Sequence, residues 1–505
     1  MSPTDQPTPA SQRSLAREQF HRANALREAG QVDAAIQELR AAIAADPEFA
    51  EAYVNLGHLL ERAAGLADAA AMYERAIALQ PGLADAHRNL GAVRFKLGDL
   101  GAALASFERV VTLRPEAADA HLGLSAVHRL RNEFDAAIAA CERALAVSPG
   151  SAAAWINLAN IYRAQNRIAA ARAASERALA LAPDSPQANI NHAMVELVAG
   201  NLRAGWPHAE ARHAMKLAGA GREFAQPQWR GAEPLAGRRI LLHAEQGLGD
   251  TLLFVRFVPL VAALGASVFL QVQRPLRELL EASFGGCARL LTFGEPLPDF
   301  DLHCPLPSLP LAFGTDLASL PAQVPYVRVP ADAMGRWRNR LPTKGTLRVG
   351  LAWAGNPSHP NDANRSMPLE TLRPLWTRVG GATFHSLKKE MSPTDAEILR
   401  STPEVVDLAP RLENFGDTAA AIAELDLVIA VDTSVAHLAG ALGRPVWILL
   451  PFSPDWRWLL ERDDSPWYPT ARLFRQSRTA AWDPVIDRVV SELSALVGSA
   501  NKLRV

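Results

Sequence analysis

The sequence predicts two unlike parts: an all-α solenoid of helical repeats, then an α/β module made of two parallel-sheet halves. Three observations predict it. Prolines recur at Pro47, Pro81, Pro115, Pro149 and Pro183, each 34 residues after the last. A run with Pro227, Trp229, Gly231, Pro234 and Gly237 then breaks the helical period. Beyond it, short apolar strands alternate with helical stretches, the pattern of a parallel sheet with crossover helices.

The repeat comes first. A spacing of 34 residues is the period of the tetratricopeptide (TPR) unit, a helix–turn–helix that closes on a proline. Other positions keep its phase. Ala35, Ala69, Ala103, Ala137 and Ala171 are small where the two helices of a unit cross, and Leu56, Leu90, Leu124 and Leu158 lie inside the first helices. Gly30, Gly98, Asn132, Asn166 and Gly200 fall at the turn, where a left-handed residue ends a helix. Five units run from about Ala16 to Ser185, and a sixth, degenerate one carries Trp206. Residues 1–15 read as a disordered tail, 16–217 as the TPR solenoid and 218–238 as a linker.

Stacked repeats offer a surface for ligands. Asn55, Asn89, Asn157 and Asn191 share one phase, with His21 and Gly123 in the remaining slots. An amide offers two donors and an acceptor, so such a column suits the backbone of an extended peptide; it equally suits a solvated helix face. It resembles the asparagine ladder of the O-GlcNAc transferase solenoid, which implies a protein or peptide acceptor as partner.

The α/β part divides into residues 239–343 and 344–505, two Rossmann-like halves. In the first, Arg239–His243 and Ser267–Val272 read as strands, with helices at Thr251–Leu264 and Pro275–Ser283. A Pro- and Leu-rich stretch, Phe293 to Val329, closes it, and Arg338–Gly345 reads as a linker. In the second, strands are expected at Arg348–Trp353, Thr383–Leu387, Leu427–Val431 and Val446–Leu450, and helices at Leu369–Val379, Phe415–Glu424 and Ala436–Leu442. A last helix, Pro484–Val497, is expected to pack back across the first half. Two such halves facing each other across a cleft make the GT-B arrangement.

Composition narrows the function. A net charge of −1 over 505 residues gives no basic field for nucleic acid. Cys141, Cys287 and Cys304 lie far apart, which speaks against a disulfide framework or a zinc site. The most apolar stretch, Thr251 to Val272, is interrupted by Arg256 and Gly265, so no membrane span is expected. With no signal peptide legible at Met1–Ser11, the expected location is the cytoplasm.

Two loops carry candidate chemistry. Glu245-Gln246-Gly247-Leu248-Gly249-Asp250 joins a strand to a helix, and its glycines admit close approach of a ligand. Leu252 occupies the third glycine slot of a dinucleotide fingerprint, which removes an NAD enzyme. Asp250 is placed to take a proton from an acceptor hydroxyl, or simply to cap the helix. The segment Asp432-Thr433-Ser434-Val435-Ala436-His437 puts hydroxyls and free N–H groups at a helix start, suited to a pyrophosphate, or else is a capped helix with a packed histidine. Arg365 and Lys388 are the candidate phosphate cations, with Lys389 beside them; the lysines also read as surface charges.

These residues resemble the motifs of the heptosyltransferases, glycosyltransferase family 9: the Gly249-Asp250 helix start, Arg365-Ser366-Met367-Pro368 and Asp432-Thr433-Ser434-Val435-Ala436-His437. With Pro454-Asp455-Trp456-Arg457-Trp458 and Ser465-Pro466-Trp467-Tyr468-Pro469, the order is similar to bacterial TPR-containing glycosyltransferase-like proteins. The resemblance implies a GT-B fold and an inverting transfer from a nucleotide-diphosphate sugar, needing no metal and no cofactor. It implies Asp250 as base, and Gly247, Gly249, Arg365, Lys388, Asp432, Thr433, Ser434 and His437 around the donor. The chain departs from the family in having Arg365 where lysine is usual, no clear acidic donor ligand near Glu390, and a short first half. A heptose donor is therefore not carried over, and a non-catalytic TPR scaffold with a degenerate transferase domain stands as the alternative.

Overall fold

The computed structural model describes residues 8–63, 65–215, 222–338, 340–341, 347–359 and 361–502. It divides into two compact units, residues 1–161 with 180–182, and residues 162–179 with 183–505.

The repeat expected from the prolines is kept to the residue. Helices begin at Val32, Leu66, Leu100, Phe134, Ile168 and Leu202, and alternate ones at Ala50, Ala84, Ala118, Ala152 and Pro186, in steps of 34. Each second helix stops two residues before its proline, as at Ala45, Leu79 and Leu113, because the residue ahead of proline is pushed out of the helical region. At the turns Gly30, Gly98, Asn132, Asn166 and Gly200 have φ from 58° to 83°, the left-handed geometry their residue types permit. The crossing alanines Ala35, Ala69, Ala103, Ala137 and Ala171 are fully buried.

Inside the first unit, rings pack against glycines. A Cβ on Gly57 would lie 2.8 Å from the Tyr73 ring, and one on Gly91 3.0 Å from Phe107. Phe107 also explains why Gly123 interrupts the asparagine column, since a Cβ there would come within 2.6 Å of the ring.

Two boundaries differ from the sequence reading. Residues 9–15, expected in the tail, are the start of the helix Pro9–Glu28, capped by Thr8, whose Oγ1 accepts from the Ser11 N–H at 3.3 Å. Pro9 at the first helical position is pre-set for that role; residues 1–7 lie outside the described residues. Compactness also divides near residue 161, not at 218–238, whose first residues lie outside those described. Leu197, Val198, Leu202 and Trp206 of the sixth unit join the α/β core. The Trp206 Nε1–H donates to the Thr315 carbonyl at 2.9 Å, and its ring meets Trp456 edge-on at 5.3 Å. The degenerate repeat is apolar where it is covered by the α/β part.

Ten strands are present among the described residues: β1 (Arg239–His243), β2 (Ser267–Val272), β3 (Ala288–Thr292), β4 (Leu302–Pro305), β5 (Leu347–Ala352), β6 (Ala382–Ser386), β7 (Val405–Asp407), β8 (Leu427–Val431), β9 (Val446–Leu450) and β10 (Ala471–Arg475). They form two sheets, β3-β2-β1-β4 and β10-β9-β8-β5-β6-β7, with every pairing parallel. β8 is buried throughout and reads as one continuous apolar run, as strands covered on both faces do. Its Leu427, Ile429 and Val431 enter one core cluster, while Val428 and Ala430 enter another on the opposite face.

The helix expected at Thr251–Leu264 is split into Leu248–Phe254 and Val258–Ala263 by a 3₁₀ turn, with Pro259 opening the second piece. The final helix, Asp483–Lys502, does not cross to the first half. Val485, Ile486, Val489, Val490, Leu493 and Val497 form an apolar stripe against Val349, Leu351, Phe384 and Leu449 of the six-stranded sheet. No described helix is long and apolar enough to cross a membrane.

Candidate functional site

The Gly-Leu-Gly-Asp loop is held from both sides. Glu245, buried at the end of β1, accepts from Arg212 Nε at 3.0 Å, and Arg212 also donates to Ser308 and Glu210. On the other side Gln273 donates to the Gln246 carbonyl at 2.8 Å and accepts from Thr251 Oγ1 at 3.0 Å. Asp250 does cap: its Oδ2 accepts the Gly247 N–H at 2.9 Å across the first turn of Leu248–Phe254.

The second loop leaves β8 at Val431. Thr433, with extended φ and ψ of −140° and 170°, immediately precedes the helix Ser434–Ala441 and makes no side-chain cap bond to it. Thr433 is 8% exposed, and its Oγ1 has no hydrogen-bond partner in the fold, an arrangement that costs free energy unless a ligand or water completes it. His437, one turn in, pairs Nδ1 with the Tyr468 hydroxyl at 2.9 Å and stacks on Trp458 at 5.3 Å. Burial, with Arg457 adding repulsion, pushes its pKa down to about 3, so the ring is neutral. Its Nε2 lies 3.7 Å from Asp432 Oδ1. Burial, reinforced by the charge of Asp455, raises Asp432 above the usual carboxylate range.

The two loops meet. A Cβ on Gly249 would lie 2.8 Å from His437 Cδ2 and 3.6 Å from Ser434 Cα, so glycine there serves close approach between helices. Arg457 bridges the same junction, ion-paired to Asp250 Oδ1 and, at 2.6 Å, to Asp455, with its guanidinium over the Trp456 ring. Burial disfavours the Asp455 anion, but Arg457 holds its pKa below the ordinary value. Arg365 reaches in from the loop after β5, donating Nη1 to the Asp432 carbonyl at 3.0 Å and Nε to Asp362 at 3.2 Å. Lys388 donates to the Gly355 carbonyl at 2.7 Å, and burial lowers its pKa. Lys389 turns away to the Glu413 carbonyl, and Gly247 lies exposed at the loop's outer end.

Asp250, Gly249, Arg365, Asp432, Thr433, Ser434 and His437 thus come together, with Lys388 beside Arg365. The asparagines are a separate matter. Asn55 donates to Asn24 at 3.0 Å and Asn157 to the Leu122 carbonyl at 3.4 Å, both half-buried, as is Asn89. Asn191 is 2% exposed, more deeply buried than the other three; apolar residues of the sixth unit's helices join the α/β core.

Sequence reasoning missed the groups that tie the site together. Arg457 and Asp455 stood in a quoted motif without a role. Arg256, noted only as a break in an apolar run, is a buried strut. It donates to the Trp467 carbonyl at 2.8 Å and the Tyr326 hydroxyl at 2.9 Å, and lies over the Tyr468 ring. An arginine inside an apolar stretch was the available signal, since a buried charge needs fixed partners.

Models of tetratricopeptide repeats match residues 23–63, 58–115, 88–152 and 128–194, and the model of glycosyltransferase family 9 (heptosyltransferase) matches residues 384–452. The chain thus carries TPR repeats in its N-terminal part and, over residues 384–452, a segment similar to glycosyltransferase family 9. Protein FlbA of Caulobacter vibrioides is 27% identical over 333 residues, 61% of this chain and 55% of FlbA, so the chain spans about half the length of that curated relative. Among solved structures, MamA is 24% identical (33% of this chain, 91% of that one, TM-score 0.31). YrrB, a TPR protein described as having an unusual peptide-binding site, is 23% identical (34% and 88%, TM-score 0.31). The family 9 match includes Lys388, Asp432, Thr433, Ser434 and His437.

Proposed function

We propose that the chain is a glycosyltransferase of GT-B layout that moves a sugar from a nucleotide-diphosphate donor to an acceptor hydroxyl, with a protein as the acceptor. The observation that carries it is the buried, unpartnered Thr433 hydroxyl at the start of Ser434–Ala441, opposite Gly249 and Asp250 and within the family 9 match. The two parallel sheets would be the two lobes, and the repeats, as protein-interaction modules, the means of recruiting the acceptor.

In this reading Thr433, Ser434 and the free N–H groups of that helix start hold the diphosphate, and Arg365 and Lys388 meet its charge. The acceptor oxygen bonds to the anomeric carbon as the bond to the diphosphate oxygen breaks; the electron pair leaves on the nucleoside diphosphate, and the acceptor proton passes to Asp250. The charges available on the chain let the step proceed without a metal. Removing one donor to the growing charge, as in Thr433→Val, would raise the barrier by roughly 3 kcal/mol.

One observation favours a second reading. Both Asp250 oxygens are engaged, by Gly247 and by Arg457, as a silent scaffold's would be. Calorimetry with UDP-, GDP-, ADP- and CMP-sugars separates the two. Heat from one diphosphate donor, followed by turnover that Asp250→Ala abolishes, supports the transferase; no heat from any of them supports the scaffold.

A further inference from the structure

Arg457 is a buried cation set among acids. Its Nη1 donates to Asp455 and its Nη2 to Asp250, while its Nε is buried with no acceptor. Trp456 covers one face of the guanidinium at 4.5 Å, and Asp432 adds a further negative charge to the junction. Arg457 Nε and Thr433 Oγ1 are among the buried polar atoms of this region that lack partners in the fold, and both can donate. An incoming group that satisfied both would carry acceptor oxygens and negative charge. A guanidinium fork binds carboxylate and phosphate by the same bidentate geometry.

We infer that Arg457 is a diphosphate-binding residue of the donor site, and that in the ligand-free chain the Asp250 carboxylate occupies the place a phosphate takes. This rests on the nucleotide-sugar reading and adds regulation to it. When the diphosphate arrives, Arg457 Nη2 passes from Asp250 to a phosphate oxygen, and Arg457 Nε gains its acceptor beside it. Asp250 stays at the helix start, because Gly247 N–H holds its other oxygen. The carboxylate is then free to take the acceptor proton as the anomeric carbon–oxygen bond to the nucleoside diphosphate breaks. Donor arrival and release of the base become one event, and no base stands exposed while the donor is absent. Asp455 keeps the cation in place throughout: it accepts the Arg457 backbone N–H at 3.0 Å as well as the side chain.

The experiment is calorimetric titration of the full chain with nucleoside diphosphates, using the matching monophosphate and nucleoside as controls. Arg457→Gln is expected to weaken diphosphate binding about tenfold to a hundredfold and to leave the nucleoside unchanged, with Arg457→Lys regaining part of the loss. Asp250→Asn keeps an acceptor for Gly247 but removes the competing charge. It is expected to tighten diphosphate binding about tenfold while abolishing turnover, a gain that no folding defect produces. Wild-type binding that survives Arg457→Gln, or an unchanged affinity in Asp250→Asn, overturns this inference and leaves the transferase reading standing. Absence of diphosphate binding by the wild type overturns both.

Discussion

The two units solve burial in opposite ways. In the first, space is filled by a periodic rule: alanines at the helix crossings, glycines under the Tyr73 and Phe107 rings, and left-handed Gly30, Gly98 and Asn132 at turns. In the second, charge and imidazole are placed in the interior. Arg256, Arg457, Asp432, Asp455 and four buried histidines lie there, several of them held by partners distant in sequence, as Arg256 is by Trp467 and Arg457 by Asp250. The α/β unit therefore places more charge-bearing groups in its interior than the repeat unit does, which makes it the unit that a change of pH disturbs more.

Acidification should separate them most. Burial pushes His437 and His243 down to about 3, and His303 and His385 to about 4, against an ordinary 6.5. All four lie in the second unit. Between those values the unfolded chain binds protons that the folded chain refuses, so stability is full above pH 6.5 and falls as pH drops toward 3 to 4. At pH 5 each histidine should cost roughly 2 kcal/mol. Urea unfolding followed at pH 7 and pH 5 checks this, and a second-unit transition that does not move would break the contrast.

Trp206→Ala should follow in size. It removes a ring packed on Trp456 and a hydrogen bond to Thr315, at about 3–5 kcal/mol. The loss should appear in the second unit's unfolding transition; a loss confined to the first would contradict the placing of the sixth repeat in the α/β core. Gly123→Ala tests the periodic rule in the first unit. A Cβ 2.6 Å from the Phe107 ring should cost about 1–3 kcal/mol, largely recovered when paired with Phe107→Leu. Smallest of all, Asn157→Ala should change stability by less than about 0.5 kcal/mol, since its bond to Leu122 is long and half-exposed.

That contrast also governs what the sequence made legible. A repeat writes the same residue at the same phase again and again, so Pro47 to Pro183 and Ala35 to Ala171 disclosed the helices and their crossings. β8 and β9 were legible as unbroken apolar runs. β4, Leu302-His303-Cys304-Pro305, and β7, Val405-Val406-Asp407, were not: they are short, and partner strands rather than local pattern make them strands. The two candidate loops were visible because helix starts and glycines have local signatures. Their meeting was not, because Arg457 and Asp250 are 207 positions apart, and nothing in either neighbourhood announces the other. Asn191 is the complementary case. It keeps the repeat's phase, yet the α/β core covers the helix that carries it.

The central claim is that the start of Ser434–Ala441, where it meets Gly249 and Asp250, holds a diphosphate. Its most direct test is titration of a nucleoside diphosphate into the wild type and into Thr433→Val, which keeps the side chain's shape and removes only the unpartnered hydroxyl. Saturable wild-type binding, weakened about tenfold in the variant, is the expected result. Equal affinity in the two proteins, or none in either, would contradict it.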